Sequence, residues 1–111
     1  MIASPEDAEL LLKKWSSESA EILAFISSAD RSFVSRLVGR IEAIYSKLVC
    51  CFRAGDNFIL FRLRDCKIGY GEDVEVLSTY EQVLKNDREQ WKAALVLTYI
   101  GGAVIVLCTK E

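Results

Sequence analysis

A chain of 111 residues that is 51% hydrophobic and 27% charged is long enough for one globular domain, 1–111, and too apolar for a disordered one. Its net charge of −2 excludes a chain-wide polyanion binder, and the absence of histidine removes Ser-His and Cys-His nucleophile pairs. With no histidine and no Cys-x-x-Cys pair, neither a zinc site nor any other metal site is expected, and no cofactor motif is present.

The charge is unevenly spread. Between Arg31 and Lys67 there are eight basic and three acidic residues, a local +5, which leaves −7 for the remainder. Such asymmetry marks either a partner-binding face or a solvated sheet face balanced by acidic segments of the same chain. The four cysteines, Cys50, Cys51, Cys66 and Cys108, sit in apolar runs. No signal-peptide pattern precedes them, so reduced thiols in a cytoplasmic protein are expected.

Ser4-Pro5-Glu6-Asp7 reads as a helix start, with a capping serine, proline at the first turn and acids at the positive end of the dipole. Ala8, Leu11, Leu12 and Trp15 then fall on one face, which predicts an amphipathic helix over 5–16 with Trp15 as its anchor. A strand follows over 20–28, although a helix through Ala20, Leu23, Ala24 and Ser27 fits the same residues. An extended run over 33–45 carries Gly39 in its interior. Glycine there predicts a bulge, a bend or the close approach of another backbone.

From Arg36 to Cys66 apolar and polar residues alternate with a period of two, the signature of half-buried strands. Leu48, Cys50 and Phe52 oppose Lys47, Val49, Cys51 and Arg53. Phe58, Leu60, Arg62 and Arg64 oppose Ile59, Phe61, Leu63 and Asp65. Ala54-Gly55-Asp56-Asn57 supplies a tight hairpin turn between the strands 46–54 and 57–67. Asp65 shares a face with Ile59, Phe61 and Leu63, and is expected either to be partly buried with a structural partner or to sit where the strand leaves the core.

After Cys66 the pattern loosens. Gly69-Tyr70-Gly71 predicts a bend, and Ser78 with Glu81 has capping-box spacing for a helical turn near 79–85. The long irregular segment 68–90 is where a pocket would be sought. The last segment holds two apolar runs separated by Gly101-Gly102, which predicts a buried hairpin over 92–99 and 103–110. Its uncharged stretch is short for a membrane helix, rich in β-branched residues and interrupted by glycine, so no membrane span is expected.

The fold expected is α+β. An N-terminal amphipathic helix packs on a mostly antiparallel, strongly curved sheet, a meander of about six strands or a partly open small barrel. Three functional readings follow. The first is a small non-catalytic module that binds a protein partner, or a second copy as a homodimer, through a sheet edge or the helix face. The second is single-stranded nucleic-acid binding by Arg36, Arg40, Arg62 and Arg64 on a basic sheet face. The third is a ligand pocket or an enzyme site lined by Tyr70 and Tyr80. No catalytic residue is singled out.

Overall fold

The structure is a computed structural model and describes residues 4–30, 32, 34–71 and 93–109. Helix α1 (Pro5–Ser17) is followed by seven strands: β1 (Ile22–Ser27), β2 (Val34–Tyr45), β3 (Val49–Ala54), β4 (Asn57–Arg62), β5 (Cys66–Gly71), β6 (Ala93–Tyr99) and β7 (Val104–Thr109). The strands form one antiparallel sheet in the order β4-β3-β2-β1-β7-β6-β5, strongly curled into a half-barrel. The helical turn expected near 79–85 lies outside the described residues.

Helix α1 starts where its sequence dictates. The Ser4 hydroxyl accepts from the Asp7 amide at 3.1 Å, and the Asp7 carboxylate accepts from the Ser4 amide at 3.4 Å. The reciprocal pair is a capping box, and it gives partners to amides that a helix start otherwise leaves without them. Ala8, Leu12 and Trp15 are buried and Leu11 is half-buried. This stripe packs across β2 and onto the inner face of the sheet.

The inner face gathers Ile22 and Ala24 from β1, Ile41 from β2, Cys50 and Phe52 from β3, Phe61 from β4, Ile68 from β5, Leu95 and Leu97 from β6, and Ile105 and Leu107 from β7. These residues come from alternate positions of each strand, as the pleat requires. β1 is a strand throughout, paired with β2 on one side and β7 on the other, so the helical alternative for 20–28 does not apply. The apolar run 93–109 is divided between β6 and β7, and no described helix is long and apolar enough to cross a membrane.

Gly39 lies on the inner face opposite Ile22. A Cβ there would fall far inside contact distance of the Arg53 carbonyl oxygen. Close backbone approach is therefore the reason for glycine. A separate irregularity falls between Ile41 and Ala43. It shifts the side-chain phase, so Ile44 turns to the core and Tyr45 is exposed, opposite to strict alternation.

The strand expected over 57–67 is divided, which makes seven strands rather than six. β4 pairs with β3, and β5 pairs with β6 through Gly69, Tyr70 and Gly71, so the bend expected there is a strand. The Leu63 amide donates to the Leu48 carbonyl on the β3 side, while the Asp65 carbonyl accepts from the Ile100 amide on the β6 side. Asp65 takes φ +58°, the left-handed region, and the chain changes partners there. Asp65 is accordingly exposed at the corner where the strand leaves the core, the second of the two placements expected for it, and is not partly buried. Inward residues are odd-numbered before the corner (Ile59, Phe61, Leu63) and even-numbered after it (Cys66, Ile68, Tyr70).

The pairings also fix direction. Six antiparallel partnerships in this order leave β4 and β5, the two edge strands, running the same way. Two consecutive strands of the same direction cannot form a hairpin. They act as one run bent at Leu63–Asp65, which carries the chain from one edge of the curled sheet to the other.

Candidate functional site

The outer face of the sheet has two different halves. Over β1, β7 and β6 it presents Leu23, Phe25, Val104, Val106, Cys108 and Ala94, all buried. Over β2, β3 and β4 it presents Val34, Arg36, Val38, Arg40, Arg53, Phe58, Leu60 and Arg62, all exposed. Phe58 is 57% exposed and Leu60 56%, on an edge strand. Large apolar side chains at an open edge are a hazard that native sheets ordinarily suppress.

The register builds this face row by row. Arg40 lies opposite Arg53, and Arg53 opposite Phe58. The Arg53 guanidinium sits 5.7 Å from the Phe58 ring centroid, a cation–π contact. The Arg53 Nε also donates to Glu42 Oε1 at 2.6 Å. That bond, followed by one from Cys51 Sγ at 3.4 Å, holds the Glu42 carboxyl below its ordinary value. The next rows pair Cys51 with Leu60, then Val49 with Arg62.

The four arginines singled out in the sequence are not gathered in one place. Arg36 and Arg40 both lie on the outer side of β2, and the Arg40 Nη1 donates to the Ser19 carbonyl. Arg62 lies at the end of β4, and Arg64 falls in the corner between β4 and β5. Arg53 was missed. Its pairing with Glu42 depends on the β2 irregularity, which alternation alone does not disclose.

Which backbone groups of β4 face away from β3 follows from the hairpin. A two-residue loop joins Ala54 to Asn57, with Gly55 at φ +62° in its first position. Asn57 therefore bonds toward β3, and so do the odd-numbered residues after it. The Leu63 amide bond to Leu48 has the same parity. The amides and carbonyls of Phe58 and Leu60 consequently point away from β3, to the side where no described strand pairs. The Arg62 carbonyl points the same way but accepts from the Tyr99 hydroxyl at 2.6 Å.

Tyr70 lies on the inner side of β5 and is half-buried. With Trp15, Leu11, Lys14, Glu18, Ala20, Glu21 and Thr109 it lines an open cleft of about 240 Å³ at the C-terminal end of α1. Tyr80 lies outside the described residues. The four cysteines are free. Burial pushes the Cys50 and Cys108 thiols up to about 12, and raises Cys51 and Cys66 as well. All four are protonated at neutral pH and unsuited to nucleophilic attack. Among the described residues no group of three or more Asp, Glu or Cys is placed to hold a metal ion.

Comparison with known proteins finds no matching family model, no similar curated protein and no similar solved structure.

Proposed function

We propose that this protein is a non-catalytic interaction module whose working surface is the open edge of β4 with the adjoining outer face of β2 and β3. One observation carries the reading: Phe58 and Leu60 are each more than half exposed on an edge strand whose outward backbone groups meet no described strand. An extended segment laid along that edge gains main-chain hydrogen bonds, and the side chains at 58 and 60 supply the apolar contact. The helix face offers less, since Leu10 is its one large exposed apolar residue among those described.

The test compares three forms of the full chain: wild type, Phe58→Glu/Leu60→Glu, and Leu10→Lys. Each is first checked for an unchanged melting temperature. Association, with itself or with a defined protein, should be lost in the β4 variant and kept in the Leu10 variant. The reverse pattern would move the surface to the helix. Association unchanged in both would sink the reading.

A second reading uses the same face for single-stranded nucleic acid, favoured by the Arg40–Arg53–Phe58 row. It requires binding to a labelled mixed-sequence RNA that weakens steeply with salt and is lost on replacing Arg40, Arg62 and Arg64 by alanine. Salt-insensitive or absent binding at low salt removes it.

A further inference from the structure

We infer that β4 pairs edge to edge with β4 of a second copy of this chain, antiparallel and centred on Ile59. The inference rests on β4 being the interaction surface and adds the occupant and the register.

Strand β4 and its flanks read Asp56-Asn57-Phe58-Ile59-Leu60-Phe61-Arg62. A two-fold axis through Ile59 sets Phe58 opposite Leu60 of the second copy, twice. It also sets Asp56 opposite Arg62 of the second copy, twice. The apolar centre meets an apolar centre, and each acidic end meets a basic end. An isologous interface demands this self-complementarity, because each residue of the pair meets the other across the axis.

Backbone chemistry selects the same register. The outward donors and acceptors on Phe58 and Leu60 match one another across the axis, giving four hydrogen bonds. The Arg62 carbonyl, already held by Tyr99, is not needed. Shifting the axis to Leu60 would call on that carbonyl and would set Asp56 against Arg64, which lies in the corner beyond the end of β4 rather than on the strand. Shifting the register by a single residue would set inward side chains against outward ones. The Arg62 side chain and Asp56 are both exposed, and neither has an ion pair among the described residues.

A short strand pair buries less than the ~1,600 Å² of a standard interface, so dimers should form and dissociate with concentration rather than be permanent. Reversing one charge turns two attractions per dimer into two repulsions. Directly opposed charge pairs are worth enough for this to weaken the dimer on the order of tenfold.

The test is sedimentation equilibrium of the full chain with four variants: Asp56→Arg, Arg62→Asp, an equimolar mixture of those two, and Leu60→Pro. Circular dichroism and melting temperature confirm folding. The Leu60 amide points away from β3, so proline there should spare the β3–β4 ladder while blocking the edge. The expected pattern is a concentration-dependent wild-type dimer, about tenfold weaker association for each charge variant alone, recovery in the mixture, and loss in Leu60→Pro. Recovery in the mixture is specific to this register. Each variant alone carries like charges at positions 56 and 62, and only a heterodimer of the two sets unlike charges opposite one another at both ends. Two results overturn the inference: a wild-type chain that stays monomeric up to its solubility limit, or a dimer whose charge variants are no tighter mixed than alone. Were the wild type monomeric while β4 substitutions still abolished binding to a foreign protein, self-pairing would fail and the interaction surface would stand.

Discussion

The two halves of the outer sheet face are built from the same pleated backbone and differ in what their outward positions carry. In β1 and β7 both sides of the strand are apolar, and both are buried. In β2 and β4 outward positions carry arginine, valine, phenylalanine and leucine, and they are exposed. Burial of both faces is what keeps a continuous apolar run at the centre of a sheet, whereas alternation belongs to a strand with one wet side. The difference teaches where to look for function. The buried half offers no surface to a partner, while the half that mixes exposed apolar and basic residues beside an edge strand is the one on which the proposed binding surface rests.

Substitutions can break this comparison. The largest effect is expected from Val106→Lys, which places a charge on the fully buried outer side of β7. The chain should fail to fold, since an unpaired buried charge costs more than ~4 kcal/mol. The matching change Val38→Lys, on the exposed side of β2, should move the unfolding free energy by no more than ~0.5 kcal/mol. Similar losses at both sites in denaturant titrations would erase the distinction.

Next in size is Gly39→Val, which must push β3 away from β2 at the Arg53 carbonyl. A loss of about 3 kcal/mol or more is expected, against a change within ~0.5 kcal/mol for Gly101→Ala, which meets open space. Leu12→Ala, at the buried centre of α1, should cost ~2–5 kcal/mol through the cavity it leaves. A smaller effect sharpens the corner: Asp65→Val, forcing a β-branched residue into φ +58°, should cost ~1–2 kcal/mol, whereas Asp65→Gly should be neutral or slightly stabilising.

The smallest effect is acid sensitivity. Bonds from the Ser32 hydroxyl and amide, then from the Ser28 hydroxyl, lower Asp30 from 3.8 to about 2. Arg53, and after it Cys51, lowers Glu42 below its ordinary 4.5. Both groups bind protons more weakly folded than unfolded. Their contribution is therefore complete above the unfolded values and is lost as pH falls through the folded ones. Stability should be flat with respect to these two groups above pH ~5 and decline toward pH ~2. In Asp30→Asn the part of that decline below pH 3.8 should shrink.

Much of this architecture was legible from residue pattern. The helix start at Ser4, its stripe through Trp15, the Gly55 and Gly101-Gly102 hairpins, and a reason for Gly39 all follow from local chemistry. What alternation hid were places where its phase slips. The β2 irregularity exchanged Ile44 and Tyr45, and the corner at Leu63–Asp65 split one expected strand between two partners. A change of inward parity, from Leu63 to Ile68, was the available signal for that corner. The candidate surface was half visible: its arginines stood out, but Arg53 and the exposure of Phe58 and Leu60 depend on which strand ends the sheet. Edge position is a property of the whole topology, and no short stretch of sequence encodes it.

The most direct measurement is residue-resolved amide exchange along β4 at low and high protein concentration. Ile59 and Phe61, bonded to β3, should exchange slowly at both. Phe58 and Leu60 should exchange quickly in dilute solution and slow as concentration rises. Equal protection of all four in dilute solution would show the edge to be covered within one copy, and fast exchange of Phe58 and Leu60 at every concentration would rule out the pairing of β4 with itself.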